Sequence, residues 1–316
     1  TTGAPHRRSH GGTVRGVTQV HPPLLLLSDV DGTLLGEDGA LPAPVRTLQR
    51  RVREVASQWP GAVHVGLASS RTLRELTVLQ RALGLLGPCI AEDGARHALD
   101  VSTLAPGTTT VPPDTTESHG QRELHCWAHA ASAQLLRDTM ADSPAFVRAD
   151  TLQRSMAALH ALGFRTRGSV RRALEARRYS VLLDPQVWTP DELTALRDRS
   201  AARGLQLRRG GRWFTLTTAG GKGPALRALR HQLTRSGVIP VVAAIGNEEN
   251  DQSLLADADC RFVIRNPHRG PHPVLSTIPG AVVLDADGIG GWMEMLDRLV
   301  PAATAVLAAR STGALR

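Results

Sequence analysis

The chain has 316 residues, a formal charge of +8 and a pI near 10.8, long enough for two domains rather than one. Hydrophobic residues make up 41% and charged residues 21%, a globular balance, and no apolar run approaches the roughly 18 residues of a membrane helix. Aromatic residues are only 3% and the arginines are spread along the chain. That argues against the stacking platforms and basic stripes of nucleic-acid binders and leaves anionic small molecules as the expected partners.

Thr1 to Pro23 carries Arg7, Arg8, Arg15 and several histidines but no apolar h-region. It reads as a disordered arm, not a secretory signal. Leu24 to Val30 reads as a buried parallel strand, with Asp29 and Asp31 at its carboxyl end. Pro44 to Gln58 places Val45, Leu48, Val52 and Val55 on one helical face. Ala62 to Ala68 is a second strand ending in Ser69-Ser70-Arg71, Thr72 to Leu83 a second helix, and Cys89 to Ala91 a short strand ending in Glu92-Asp93-Gly94. This alternation predicts a doubly wound α/β sheet with ligands bound at the carboxyl ends of its strands.

The middle of the chain differs. Val101 to Gly120 is rich in Thr, Pro and Gly and reads as a linker. Helices are expected at Ala130–Met140, Thr151–Leu162, Val170–Ala176 and Pro190–Arg203. Strands are expected at Tyr179–Leu183, Leu205–Arg209 and Trp213–Thr217. The α/β pattern resumes with a helix from Lys222, a strand over Val238–Ile245, a polar turn at Gly246–Asp251, strands at Cys260–Ile264 and Ala281–Val283, and a helix over Trp292–Leu299. The expected division is an arm (1–23), a core (24–98 and 219–300), an inserted α+β cap (99–218) and a frayed tail (301–316). Cys89, Cys126 and Cys260 are odd in number and far apart, which fits a reduced, cytoplasmic chain.

Four clusters carry chemistry. Asp29 and Asp31, at i and i+2, point the same way on a regular strand, and their repulsion calls for a cation; hard oxygen donors suit magnesium. One such carboxylate can attack phosphorus and the other can protonate a leaving oxygen. Gly32 lets a phosphate approach the backbone and Thr33 adds a hydroxyl. The plain alternative is a surface loop ending a strand. Ser69 and Ser70 can bind phosphate oxygens or cap the next helix. Lys222, in Gly220-Gly221-Lys222-Gly223-Pro224, is the only lysine among 37 basic Lys and Arg residues. Lysine offers a compact point charge that arginine does not, and a cation at a helix N-terminus needs a reason. Gly246-Asn247-Glu248-Glu249-Asn250-Asp251 offers oxygen donors and holds two of the three asparagines. His125 and His129 lack zinc-protease spacing and read as surface or core residues.

In their order, Asp-x-Asp-Gly-Thr, Ser, Lys and a Gly-rich acidic turn, these clusters resemble the haloacid dehalogenase (HAD) superfamily of phosphatases. The insertion between Ser69 and Lys222 resembles the Cof-like type, with a class IIB α/β cap. Ser69-Ser70-Arg71-Thr72, Glu92-Asp93-Gly94-Ala95, Gly163-Phe164 with Gly168, Arg177-Arg178-Tyr179-Ser180 and Arg209-Gly210-Gly211-Arg212-Trp213 resemble motifs of mannosyl-3-phosphoglycerate phosphatases. The resemblance implies Asp29 as nucleophile and Asp31 as general acid and base, with Ser69 and Lys222 holding the phosphoryl group. It implies substrate contacts from Gly32, Thr33, Ser70, Arg71, Arg177, Tyr179, Ser180, Gly211 and Arg212. Magnesium would be held by Asp29, Asp31 through its carbonyl, and the turn, where Asn247 replaces the pattern's first acid, Asp251 matches its second and Glu248 is near enough to compensate. Val181 and Leu182 replace Glu-Pro, and Arg178 replaces an acid. The expected partner is a phosphorylated sugar, bound by a monomer or homodimer. A non-catalytic sugar-phosphate binder and a phosphotransferase remain open as alternatives.

Overall fold

The computed structural model describes residues 21–36, 44–103, 112–148, 150, 177–210, 213–234 and 239–313. Strand β1 (Leu24–Ser28) is central, and its four leucines are fully buried. It runs parallel to β2 (Val63–Ala68) on one side and β10 (Val241–Gly246) on the other, with Leu26 level with Val65 and Ala243. The parallel run continues outward through β3 (Cys89–Ala91) and β11 (Cys260–Asn266) to β13 (Ala281–Asp287).

Both faces of this sheet are covered, which is why β1 reads as a continuous apolar run rather than an alternating one. Leu24 and Leu26 join a cluster with Leu48 of α1 (Val45–Gln58) and Leu73 and Leu76 of α2 (Leu73–Leu83). On the opposite face, Leu25 and Leu27 pack with Leu226 and Leu229 of α5 (Lys222–Leu233) and Leu254 of α6 (Gln252–Asp257). Helix α2 starts at a capping box formed by Thr72 and Glu75 and ends at Gly84, whose φ of 65° suits glycine. Thr72 therefore caps this helix, and Ser69 is left free for other work.

A second, antiparallel sheet orders β7 (Val181–Leu183), β9 (Trp213–Thr217) and β8 (Gln206–Gly210). It is backed by α3 (Ala133–Thr139) and α4 (Pro190–Ala202) around Phe146, Leu196 and Leu216. The helices expected at 151–162 and 170–176 lie outside the described residues.

Two expectations are corrected. The stretch read as a linker, Val101 to Gly120, contains β5 (Thr115–His119), and β6 (Arg122–Ala128) follows directly after it. With β4 (Arg96–Asp100) they extend the large sheet in the order β3-β4-β6-β5. The edge strand β5 is largely exposed and polar, so it carries little hydrophobic signal. The tail read as frayed belongs to α8 (Gly288–Ser311), which passes through Pro301. Its end is held by packing of Ala303, Val306 and Leu307 on the core and by Arg310, which donates to Asp259 and to the carbonyls of Ile239 and Pro240.

Beneath the hairpin, His97 is fully buried. Its Nε2–H donates to Gln232 Oε1 at 2.7 Å and its Nδ1 accepts from His129 Nε2 at 2.6 Å, while Trp127 stacks on it. Burial lowers its pKa to about 4, with the Gln232 bond opposing and His129 adding to the shift. The unfolded chain therefore binds a proton that the folded chain refuses between about pH 6.5 and 4, and stability falls as pH is lowered through that window. The loss should reach about 3 kcal/mol in urea titrations, and a His97→Gln variant should lose that component. An unchanged slope in the variant would contradict the assignment.

Candidate active site

The carboxyl ends of β1, β2 and β10 and the start of α5 converge. The Asp29 N–H donates to the Ile245 carbonyl at 2.9 Å, which continues the β1–β10 register beyond Ser28. Ser28 is also fixed: Trp292 Nε1 donates to its hydroxyl at 3.0 Å, and that hydroxyl donates to the Asp29 carbonyl at 2.6 Å. The Asp29 side chain thus leaves the sheet on a backbone held from two directions.

Lys222 is the first residue of α5 and is fully buried. Its Nζ donates to Asp29 Oδ1 at 2.7 Å and to Asp251 Oδ1 at 2.6 Å. Burial alone would lower its pKa, but Asp251 and Asp29 outweigh that and raise it, so it stays charged. The other Asp251 oxygen accepts the N–H groups of Asn247 (3.0 Å) and Glu248 (3.2 Å). Both oxygens of Asp251 are therefore occupied in shaping the turn and holding the lysine. The Asp29 carboxyl is pushed up to about 7 by burial and by Asp251, against the opposing pull of Lys222. When both buried acids are ionised, the one cation between them leaves one negative charge uncompensated.

Around Asp29, Thr33 Oγ1 donates to Asn247 Oδ1 at 3.0 Å and lies 3.4 Å from Asp29 Oδ2. A Cβ at Gly32, whose φ is 74°, would collide with the Asn247 amide, so only glycine allows this approach. Ser69 is buried and its hydroxyl accepts from the Arg71 N–H at 3.3 Å. Asp31 lies outside the buried group. Both of its oxygens accept from Arg71, at 2.9 Å from Nε and 2.5 Å from Nη2.

The structure thus brings Asp29, Gly32, Thr33, Ser69, Lys222, Asn247 and Asp251 together, with Asp31 and Arg71 paired at the rim. Other predicted residues serve differently. The Ser70 carbonyl accepts from Arg177 at 3.0 Å, and Arg177 also donates to the Ser180 hydroxyl at 2.9 Å. Ser180 is fully buried and donates to Glu92 at 2.6 Å, so its hydroxyl is committed inside the protein. Tyr179 lies under the Arg96 guanidinium, 5.6 Å from its ring centre. Arg178 is exposed and shares Glu117 with Arg96, at 2.7 and 2.9 Å. Gly211 and Arg212 lie outside the described residues. The Glu248 side chain accepts from the Asp251 N–H and so closes a capping box at the turn. Glu92, Asp93 and Asn250 were missed as site neighbours; the Asn250 amide donates to Asp93 at 3.1 Å. Two acids before a glycine at a strand end were the available signal.

Among the described residues, no group of three or more acidic, histidine or cysteine side chains surrounds a common point. The oxygen donors beside the uncompensated charge are the Asp29 carboxylate and Asn247 Oδ1, which share Thr33 as a neighbour. One carboxylate and a neutral amide oxygen are hard donors of the kind magnesium takes while it keeps several waters. No helix among the described residues is long and apolar enough to cross a membrane.

No protein-family model matches the sequence. Solved structures match along most of the chain. A haloacid dehalogenase-like hydrolase from B. subtilis is 17% identical with a TM-score of 0.56, over 87% of this chain and 99% of that one. A phosphatase of the haloalkanoate (HAD) superfamily from Bacteroides thetaiotaomicron is 16% identical with a TM-score of 0.51, over 97% and 100%. A HAD subclass IIB sugar phosphatase is 13% identical with a TM-score of 0.50, over 92% and 99%. The fold is accordingly HAD-like α/β.

Removing Lys222 leaves two carboxylates buried without a counter-charge. Lys222→Ala should therefore cost about 3 kcal/mol or more in urea unfolding at pH 8. The cost should shrink at pH 5, where Asp29, already pushed up to about 7, can take up a proton. A cost below about 1 kcal/mol at pH 8 would show that the pair is solvated.

Proposed function

We propose that this chain is a magnesium-dependent phosphatase that hydrolyses a phosphorylated sugar through an aspartyl-phosphate at Asp29. The observation that carries this reading is the buried Asp29–Lys222–Asp251 group at the ends of parallel strands. Lys222 ties down one oxygen of Asp29 and leaves Oδ2 as the attacking atom. Ser69 and Lys222 supply donors for the phosphoryl oxygens, and burial strengthens each of these contacts. The mannosyl-3-phosphoglycerate phosphatase-like motifs support a glycosyl-phosphoglycerate or related sugar phosphate as the substrate.

In the first step, Asp29 Oδ2 forms a bond to phosphorus while the bond from phosphorus to the sugar oxygen breaks. Asp31 donates a proton to that leaving oxygen. In the second step, water attacks phosphorus as Asp31 takes its proton, which frees phosphate and restores the Asp29 carboxylate. Asp31 can act only after Arg71 releases it, and the arriving phosphoryl group is the anion that can take its place. Asp29, Asn247 and the Asp31 carbonyl would hold magnesium, which when bound offsets the negative charge of acid and phosphate together.

Asp29→Asn should keep the fold and lower hydrolysis of a panel of sugar phosphates by at least about a thousandfold. Full retained activity would sink the mechanism. Asn247→Asp adds a charged donor and should tighten magnesium binding about tenfold in calorimetric titration. Unchanged affinity would mean that Asn247 is no ligand.

A further inference from the structure

The turn Glu92–Gly94 touches the Ser69–Arg71 loop, the start of α5 and Asn250, yet the reaction above uses none of its side chains. Glu92 and Asp93 are the two non-glycine residues with left-handed φ among the described residues, at 51° and 56°. Such a conformation persists only where the surroundings over-determine it. The Glu92 N–H donates to the Arg71 carbonyl at 2.9 Å and the Asp93 N–H to the Ser69 carbonyl at 3.1 Å. Gly94, with a φ of 90°, packs so tightly on the Gly221 carbonyl that no Cβ fits there. The turn is therefore fastened by its main chain to the Ser69–Arg71 loop and packed against the entrance to Lys222.

The Glu92 side chain reaches the other way. It is fully buried, and its oxygens accept the N–H groups of Arg178 and Tyr179, each at 3.2 Å, and the Ser180 hydroxyl at 2.6 Å. Arg177 forms a parallel strut, from the Ser70 carbonyl to Ser180. A buried carboxylate with three donors is costly to strip, because each lost bond exposes the full desolvation penalty of the charge. A second sheet that moves to admit a ligand would bend elsewhere before it broke this contact.

We propose that Glu92 is a positioning residue that pins Arg177–Ser180 to the Ser69–Arg71 loop, making that segment the stationary wall of the substrate cleft. Its effect on catalysis rests on the phosphatase reading; the pin itself does not.

Glu92→Gln tests it with little change in volume. With its oxygen toward Tyr179 and Ser180, the amide turns its NH2 against the Arg178 N–H. Hydrogen exchange at the amides of Arg178 and Tyr179 should quicken about tenfold or more, with the amides of Leu24–Ser28 unchanged. KM for a hexose phosphate should rise about tenfold, while kcat/KM for p-nitrophenyl phosphate, which has no sugar to position, stays within about threefold. Unchanged exchange at 178 and 179, equal acceleration in β1, or lost kcat with unaltered KM would overturn the proposal. Should the wild-type protein hydrolyse no phosphate ester, the phosphatase reading falls and the exchange result alone decides the pin. Ser180→Ala, which removes one donor to Glu92 together with the acceptor of Arg177 but leaves the carboxylate in place, serves as the second variant and should shift exchange in the same direction.

Discussion

A lysine with no access to water, held between two aspartates from different loops, is the constraint on which the rest of the site depends. Neither carboxylate could be buried alone, and the ammonium could not start a helix there without them. The three groups tie the end of β1, the start of α5 and the turn after β10 into one unit. The geometry uses lysine because a compact charge can sit between two close acids where a planar guanidinium cannot. The group remains one positive charge short, and that deficit is the physical basis for expecting a cation beside Asp29.

Around this group the protein places strain and support. Trp292 and Ser28 fix the backbone from which Asp29 projects, and Gly32 leaves room for Asn247. The turn at Glu92–Gly94 joins the Ser69–Arg71 loop, the Lys222 entrance and the segment before the second sheet in three residues. Asp31 stands apart, held by Arg71 at the rim, where an incoming anion can compete for the same guanidinium. The interior is thus set before a ligand arrives, and the rim is where arrival can change something.

Much of this was legible in the sequence. Four consecutive leucines ahead of an Asp-x-Asp pair mark a central parallel strand, and a single lysine among arginines marks a position where the kind of cation matters. The β5–β6 hairpin was not legible, because its outer strand is polar and largely exposed and the stretch ahead of it is rich in Thr, Pro and Gly. The end of α8 was missed because Pro301 and an alanine-rich stretch look like fraying, whereas tertiary packing holds the helix. Ser180 and Glu248 illustrate a different limit. Their types and spacing suit a substrate contact and a metal ligand, while in the structure Ser180 donates to Glu92 and Glu248 accepts from the Asp251 N–H. Those bonds link residues whose orientations no local pattern specifies. Ser69 shows the converse: Thr72, not Ser69, caps α2, and the Ser69 hydroxyl accepts only from the Arg71 N–H among the bonds described.

The claim that Asp29 Oδ2 attacks phosphorus is tested most directly by trapping its product. Borohydride added during turnover of a sugar phosphate reduces an acyl phosphate to an alcohol, so position 29 should appear as homoserine in peptide mass spectrometry, and Asp31 should remain unmodified. Release of phosphate with an unmodified residue 29, or reduction at another carboxylate, would contradict the account.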